Sequence, residues 1–296
     1  MTSNQPRSTG HDSCGGVIDP SFSGALAEAS DCVAIAADAG RLLHRRFGDP
    51  GVVAAKGASS DSGRVWDVVT EVDTACEERI VQSIRELSPN ASILAEESGV
   101  SSHASSANLA ASDDLWVVDP LDGTLNFAAG IPMFAVSIAR YQQGALTAGV
   151  IHAPILCETW TIDSTGPRCN GVPIHCSGAV RAHETVLAAS GSGQSLPGLA
   201  RAFRSWRRVG SAALSLAWVA GGRFGAYVQT GMLQPWDLAV GAPLVQAAGG
   251  EVRRIDLEPW EFDINQPTGM VASAASISDE VLTVVRSAFD TMQVHE

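Results

Sequence analysis

One segment near the middle of the chain, WVVDPLDGTLNF, constrains the fold more than any other. Residues 115–118 predict a short buried strand, and Asp119 and Asp122 follow it on either side of Pro120. Because the proline stiffens the bend, we expect both carboxylates and the Leu121 carbonyl to face one point. Hard oxygen ligands that converge in this way suit Mg²⁺, which prefers carboxylates, waters and phosphate oxygens in an octahedral shell.

The two residues after this pair favour an anion-binding turn. Gly123 lets backbone N–H groups approach an anion closely, and a helix that begins at Thr124 would direct its N-terminal amides at a phosphate. The alternative interpretation is an ordinary strand-to-loop turn with an aspartate cap. The strand, the paired carboxylates and the Gly-Thr step together favour the ligand interpretation.

Acidic residues recur at three other places, and each has an ordinary structural explanation when taken alone. Glu96 and Glu97 follow a predicted strand at 91–95, and adjacent glutamates usually lie in a solvated loop. Asp73 stands where a second helix is predicted to begin, and Asp237 opens a later one, so both are typical helix caps. A carboxylate at a helix N-terminus stays ionised and well oriented, which also suits a metal ligand.

The predicted elements indicate an α/β or α+β architecture in two parts, because strands alternate with helices along the chain. A polar, flexible tail is expected at 1–20. The turn-rich segment 165–173 is expected to separate an N-terminal part, 21–165, from a C-terminal part, 166–296. The helices that apolar spacing predicts most clearly are 23–47, 73–87, 196–206, 212–220 and 278–292.

Composition excludes several classes of protein. The chain of 296 residues carries 19 basic against 32 acidic residues, a net charge of −13, which argues against a nucleic-acid partner. It has no apolar run near the roughly 20 residues that span a bilayer and no secretory signal at its start, so we expect a cytoplasmic protein without a membrane span. The histidines that show no ligand spacing, and are predicted to be structural or exposed, are His103, His152, His175 and His183.

Taken in order, the acidic blocks resemble the inositol monophosphatase family. The blocks are 67–73, 95–98, 119–127, Trp236-Asp237 and 247–250, and the likeness runs from about Ala27 to about Ala288. Members of that family are Mg²⁺-dependent, lithium-sensitive phosphomonoesterases with a layered αβαβα fold of two sub-domains. The resemblance therefore implies a hydrolase that acts on a small phosphorylated metabolite, holds two or three Mg²⁺ ions and forms a homodimer.

The resemblance also implies roles for individual residues. The implied metal ligands are Glu96, Asp119, Asp122, Asp237, Asp73 and the carbonyl of Leu121. The implied catalytic residues are Asp73, Thr124 and Glu96, of which Asp73 and Thr124 orient the attacking water. The implied substrate-binding residues are Asp122, Gly123, Thr124, Gly210, Ser211, Ala212, Gln229 and Asp237. Asp67 matches a supporting acid, and Lys56 matches a lysine near the site.

One position departs from the family pattern and leaves the substrate open. Inositol phosphatases of the family carry a glutamate shortly before the Trp-Asp pair, whereas this chain has Gln229, which can hydrogen-bond a hydroxyl but brings no charge. We expect the substrate to be a small polyol, cyclitol or sugar phosphate. The alternatives are histidinol phosphate, a 3′-phosphonucleotide, or a non-catalytic protein that binds metal or a phosphosugar. A nucleotide requires cationic groups for a second phosphate, and few Lys or Arg residues lie around the motifs.

Overall fold

A computed structural model describes residues 29–55, 68–101, 109, 112–191 and 196–293. The predicted tail at 1–20, Lys56 and Asp67 lie outside these residues. The helices are α1 Ser30–Arg46, α2 Glu71–Leu87, α3 Thr124–Ala128, α4 Leu196–Ala202, α5 Ala212–Ala220, α6 Pro235–Leu238, α7 Gly241–Ala247 and α8 Ser278–Gln293. The strands are β1 Val53–Ala55, β2 Val68–Thr70, β3 Ser92–Ala95, β4 Gly99–Ser101, β5 Asp114–Asp122, β6 Ala135–Gln142, β7 Ala145–Ala153, β8 Glu158–Ile162, β9 Arg168–Cys169, β10 Val172–Pro173, β11 Val186–Ser190, β12 Ser205–Arg207, β13 Ala226–Leu233, β14 Gly250–Arg254 and β15 Thr268–Ala274.

Two larger sheets and their helices stack in five layers. The eight-stranded sheet has the order β10-β9-β8-β7-β6-β5-β3-β4, and the five-stranded sheet has the order β12-β11-β13-β15-β14. Helices α1 and α2 cover the outer face of the first sheet, α5 and α7 fill the space between the sheets, and α4 and α8 cover the outer face of the second. This arrangement is the predicted αβαβα sandwich, so the fold class is confirmed.

Strand β5 lies between two apolar layers and is buried along almost its whole length. Leu115 and Val117 pack into the layer between the sheets, whereas Trp116 and Val118 pack against the layer of α1 and α2. This alternation is the period of a strand whose two faces are both covered. The strand continues to Asp122, beyond its predicted end at Val118, so both aspartates of the motif belong to it.

Three predicted elements differ from the observed ones. The helix predicted at 196–206 ends at Ala202, and Trp206 lies in β12, which pairs in parallel with β11. A strand of three residues is too short to show an alternating pattern, and its pairing with β11 is not visible in the local sequence. The spacing of apolar residues therefore did not predict β12. Asp73 is not the N-cap of α2 but its third residue, because Thr70 caps the helix and the two side chains form a capping box. The segment at 165–173 holds the hairpin of β9 and β10, and the proposed division into sub-domains stays a prediction.

His152 on β7 packs against α1, consistent with the structural role predicted for it. Its Nδ1 lies 2.9 Å from Thr159 Oγ1. A Cβ atom at Gly40 would lie 2.5 Å from the ring, so only glycine leaves room for the imidazole there. Burial, with a smaller contribution from the charge of Arg41, lowers the pKa of His152 from 6.5 to about 4.

This shift predicts a loss of stability in acid. The unfolded chain binds a proton near pH 6.5 and the folded chain only near pH 4, so the stabilising contribution is complete above pH 6.5 and is lost as the pH falls toward 4. By pH 5 the loss is about 2 kcal/mol. Urea unfolding of wild type and His152→Gln at pH 7.5 and pH 5 measures it, because glutamine retains a hydrogen-bonding group without titrating. We expect the variant to lose less stability than wild type between these pH values, and equal losses would contradict the assignment.

In the described part of the chain, none of the helices combines the length and the apolar character that a membrane span requires.

Candidate active site

A bulge in β5 brings Asp119 and Asp122 to the same side of the sheet. Asp119 pairs with Ser137 of β6 and Asp122 pairs with Ala135, so β5 has one residue more than its partner between these positions. In a regular strand, side chains three residues apart point to opposite faces, and the extra residue reverses that relation. Pro120 fits here because a bulge leaves a residue outside the hydrogen-bonded ladder.

The two aspartates meet a third from the other half of the chain. One carboxylate oxygen from each of Asp119, Asp122 and Asp237 lies within 4.8 Å of the others. Asp237, predicted to open its helix as the cap, is instead the third residue of α6, because Gln234 is the N-cap; Asp237 Oδ2 accepts a hydrogen bond from the backbone N–H of Gln234 at 2.6 Å. Glu96, in the turn after β3, lies close enough to Asp119 for a hydrogen bond between their side chains. Four acidic side chains from three separate segments of the chain therefore share one pocket.

Burial and repulsion from neighbouring carboxylates make Asp119 and Asp122 reluctant to ionise. Desolvation raises the pKa of Asp119 well above its ordinary value, and the charge of Glu96 raises it further. Desolvation also raises the pKa of Asp122 to about 6, although hydrogen bonds from Ser211 and the Ala213 backbone oppose this rise. A bound cation removes such a penalty, since it offsets the negative charges that burial and proximity disfavour.

Asp122 also links the first sheet to the helices between the two sheets, because its carboxylate accepts hydrogen bonds from the start of α5. Its Oδ2 accepts hydrogen bonds from Ser211 Oγ at 2.5 Å and from the Ala213 N–H at 2.6 Å, and its Oδ1 accepts from the Ala212 N–H at 3.2 Å. These donors are helix N-terminal groups that have no partner within the helix. Asp122 is therefore held in place by the C-terminal half while its backbone belongs to the N-terminal half.

Thr124 and Asp73 form a hydrogen-bonded pair beside the motif. Thr124 Oγ1 lies 2.8 Å from Asp73 Oδ1 and 3.0 Å from the carbonyl oxygen of Leu121, so its one proton goes to either acceptor. The other oxygen of Asp73 accepts hydrogen bonds from the backbone N–H of Thr70, at 2.9 Å, and from the Thr70 hydroxyl. The fully buried carboxylate of Asp73 is thus fixed by the cap of α2 and directed at Thr124.

Two glycines allow close approaches near the motif. Gly123 has a φ of 98°, and a Cβ there would lie 2.9 Å from the carbonyl oxygen of Met133. Gly210 has a φ of 79°, and a Cβ there would lie 2.8 Å from the amide of Asn126. The Asn126 amide itself donates to the carbonyl oxygens of Met133 and Val209, at 2.7 and 2.8 Å. A side chain at either glycine would therefore displace the turn that follows the aspartates.

Gln229 lies on β13, two residues after the buried Tyr227. The charges of Asp122 and Asp237 act on Tyr227, which places this part of β13 close to the carboxylate pocket. Gln229 Oε1 is buried and accepts no hydrogen bond from the described residues. The register of β13 against β15 shifts between Gln229 and Leu233, so the regular pairing of the two strands is interrupted after Gln229.

Glu77 supports the turn next to the carboxylate pocket, and the sequence analysis did not identify it. This buried residue of α2 accepts hydrogen bonds from the backbone N–H groups of Glu97, at 2.7 Å, and Ser98, at 2.8 Å. Both bonds hold the turn that carries Glu96. A signal was present in the sequence, because Glu77 lies on the apolar stripe of α2, four residues after Asp73 and three before Ile80.

We expect Glu77→Gln to weaken metal binding through Glu96. A glutamine amide nitrogen would face one of the two N–H donors, so a buried donor loses its partner at a cost of about 2 kcal/mol. The measurement is the Mg²⁺ concentration for half-maximal phosphate release, together with the melting temperature. Glu78→Gln, an exposed neighbour on the same helix, is the matched control. An unchanged Mg²⁺ requirement in Glu77→Gln would contradict the positioning role.

The structure thus places the predicted site residues in three groups. The first group is the carboxylate pocket, which consists of Asp119, Asp122, Asp237 and Glu96. The second is the hydrogen-bonded pair of Thr124 and Asp73, in which Thr124 also contacts the Leu121 carbonyl. The third consists of Ser211 and Ala212, which contact Asp122. Gly123 and Gly210 shape the backbone nearby, while the side chain of Gln229 makes no hydrogen bond to any of the three groups in the described part of the chain. The donor set of the pocket consists of oxygen atoms, which fits Mg²⁺.

The fold and the pocket define a layered α/β protein with a cluster of carboxylates whose oxygen atoms could hold a metal ion. A family model described as the inositol monophosphatase family matches residues 27–288, and the chain belongs to that family. Members of the family are phosphatases, which are hydrolases of phosphoric monoesters, so the predicted enzyme class is confirmed at that level.

Individual relatives and a solved structure also match this chain. A Thermotoga maritima protein named fructose-1,6-bisphosphatase/inositol-1-monophosphatase is 36% identical over 226 residues, which cover 74% of this chain and 82% of the relative. A Pseudomonas aeruginosa protein named Nus factor SuhB is 40% identical over 202 residues, covering 63% of this chain and 72% of the relative. The solved structure of a Thermotoga maritima IMPase has a TM-score of 0.77 and 31% identity, covering 88% of this chain and 97% of that one.

Proposed function

We propose that this chain hydrolyses the phosphate ester of a small polyol, cyclitol or sugar with the help of Mg²⁺. The observation that carries the proposal is the pocket in which Asp119, Asp122 and Asp237 bring carboxylate oxygens within 4.8 Å of one another. Beside it stands Thr124, whose hydroxyl is bonded to Asp73. If these acidic residues did not share one pocket, each would be explained as an ordinary helix cap or turn residue.

The residues that would hold the cations are Glu96, Asp119, Asp122, Asp237, Asp73 and the carbonyl of Leu121. Mg²⁺ held there supplies positive charge that offsets the charge of the phosphate and makes water more acidic. The two or three ions, the homodimer, the cytoplasmic location and the absence of a nucleic-acid partner remain predictions.

The chain's own residues orient the reacting groups. Since the Thr124 hydroxyl donates its proton to Asp73 or to the Leu121 carbonyl, its lone pairs can accept a hydrogen bond from a water. A water held in this way is oriented toward the phosphorus atom, and Asp73 keeps the hydroxyl in position. The dipeptide Gly123-Thr124 adds backbone N–H groups for a phosphate oxygen.

A panel of phosphomonoesters tests the proposal. We expect Mg²⁺-dependent release of phosphate from inositol 1-phosphate or a sugar phosphate, and inhibition by Li⁺ as the family resemblance implies. The panel also contains histidinol phosphate and a 3′-phosphonucleotide, and preferred turnover of either would replace the polyol assignment. Mg²⁺ binding without turnover of any member would instead identify a non-catalytic binding protein.

A further inference from the structure

Asn126, on the short helix α3, forms hydrogen bonds to two segments that are far apart in sequence. Its side-chain amide nitrogen donates to the carbonyl oxygen of Met133 at 2.7 Å and to that of Val209 at 2.8 Å. An amide nitrogen carries two hydrogens, so both bonds can form at once. The side chain belongs to a buried residue, and its bond to Val209 spans 83 positions of the sequence. Asn126 therefore ties α3 to the segment that leads into α5.

The bond to Met133 holds the turn that carries Thr124. The Met133 carbonyl oxygen lies against Gly123, where a Cβ would approach it to 2.9 Å. The backbone carbonyl oxygen of Asn126 also accepts a hydrogen bond from the N–H of Ile131 at 2.8 Å. Asn126 thus fastens the loop between α3 and β6 at the place where that loop contacts Gly123.

The bond to Val209 holds the start of α5. Val209 is followed by Gly210, where a Cβ would lie 2.8 Å from the Asn126 amide nitrogen, and then by Ser211, the N-cap of α5. Ser211 and the backbone that follows it also bind the carboxylate of Asp122. An attachment at Asp122 alone fixes one point of the helix start and permits rotation about it. The second attachment, through Asn126, removes this freedom.

We propose that Asn126 is a positioning residue for the hydrolysis, whose amide keeps the start of α5, and with it the carboxylate of Asp122, in a fixed orientation relative to Thr124. The inference rests on the proposed function, because the rate that Asn126 affects is that of the proposed phosphatase. A displacement of about 1 Å in an active site can lower a rate about a hundredfold. Groups that orient metal ligands commonly affect activity about tenfold to a hundredfold.

Loss of the amide is not expected to unfold α3. Its neighbour Phe127 is fully buried and packs edge to face on Phe134, with ring centroids 5.1 Å apart. This contact anchors α3 in the first core independently of Asn126. Asn126→Ala therefore loosens the link to Val209 more than it loosens α3. Two buried carbonyl oxygens lose a donor, so we expect a lower melting temperature in a chain that still folds.

The test compares kcat and KM of Asn126→Ala, Asn126→Gln and Asn170→Ala with those of wild type, on the best substrate of the panel at saturating Mg²⁺. Asn170 is the control, because its amide also makes two hydrogen bonds, but in the turn after β9, which lies four strands from β5. We expect kcat of Asn126→Ala to fall about thirtyfold with little change in KM. Asn126→Gln, which keeps both donors on a longer side chain, should fall less. Asn170→Ala should lose stability and keep its kcat.

A double variant tests the route through Asp122. Ser211→Ala removes one hydrogen bond to Asp122 directly. If Asn126 acts through the same contact, kcat of Asn126→Ala with Ser211→Ala falls by less than the product of the two single effects. Effects that multiply would contradict this route.

Other outcomes would overturn the inference in distinguishable ways. A kcat of Asn126→Ala equal to that of wild type removes the positioning role and leaves the proposed phosphatase function standing. Failure of both Asn126 variants to fold in the presence of Mg²⁺ would show that the residue serves the fold itself, which also removes the role. A wild-type protein that releases phosphate from no member of the panel contradicts the proposed function.

Discussion

Replacing Asp119 with asparagine is expected to abolish Mg²⁺-dependent phosphate release, with a fall in kcat/KM of about a thousandfold or more. Asp119 is buried at the centre of the pocket, where it contacts Glu96 and lies close to Asp122 and Asp237. Asparagine has nearly the same shape but loses the negative charge that holds a cation. The measurement is phosphate release from the best substrate of the panel across a Mg²⁺ titration.

The same substitution is expected to stabilise the metal-free protein. Asparagine removes a buried charge that three neighbouring carboxylates repel, and its remaining oxygen can still accept the hydrogen bond from the Leu121 N–H, which Asp119 Oδ1 accepts at 3.0 Å. We expect a melting temperature in EDTA equal to or above that of wild type, since active sites commonly retain charges at the expense of stability. Asp113→Asn, an exposed residue just before β5, is the matched control for both measurements. Normal turnover by Asp119→Asn would refute the assignment of Asp119.

Mg²⁺ is expected to raise the melting temperature of wild type substantially. A ligand at one hundred times its dissociation constant adds about 2.7 kcal/mol of stability by mass action. For a chain of this size, that corresponds to a shift of about 5 °C or more. The physical source is the relief of repulsion among the carboxylates of the pocket. Differential scanning calorimetry in EDTA and in millimolar MgCl₂ measures the shift.

Controls separate specific binding from a salt effect. NaCl at matched ionic strength should reproduce little of the shift, because the pocket is buried and screening acts mainly on exposed charges. The shift should be much smaller in Asp119→Asn. An identical melting temperature for wild type in EDTA and in millimolar Mg²⁺ would count against a cation site at this position.

Local pattern was sufficient for some parts of the structure and insufficient for others. The strand before Asp119 and the helices α1, α2, α5 and α8 were predictable because apolar spacing and caps act over a few residues. The meeting of Glu96 and Asp237 with the motif was implied by family resemblance rather than by spacing, since each residue alone is an ordinary cap or loop acid. The bulge that aligns the two aspartates depends on pairing with β6, which local sequence does not show.

Two features escaped the sequence analysis for physical reasons. Trp206 was assigned to a helix because the parallel pairing of β12 with β11 is not local. The sequence analysis did not single out Arg208, which the order of the strands brings to the same edge of the second sheet as Gln229. In both cases topology, and not composition, decides which residues become neighbours.

Anomalous diffraction from crystals grown with Mn²⁺ and inorganic phosphate tests the central claim most directly. Mn²⁺ has the same preference for oxygen ligands as Mg²⁺ and scatters anomalously. We predict anomalous peaks within coordination distance of Asp119, Asp122 and Asp237, with a phosphate oxygen beside them. Peaks elsewhere, or a phosphate bound away from these three aspartates, would contradict the account.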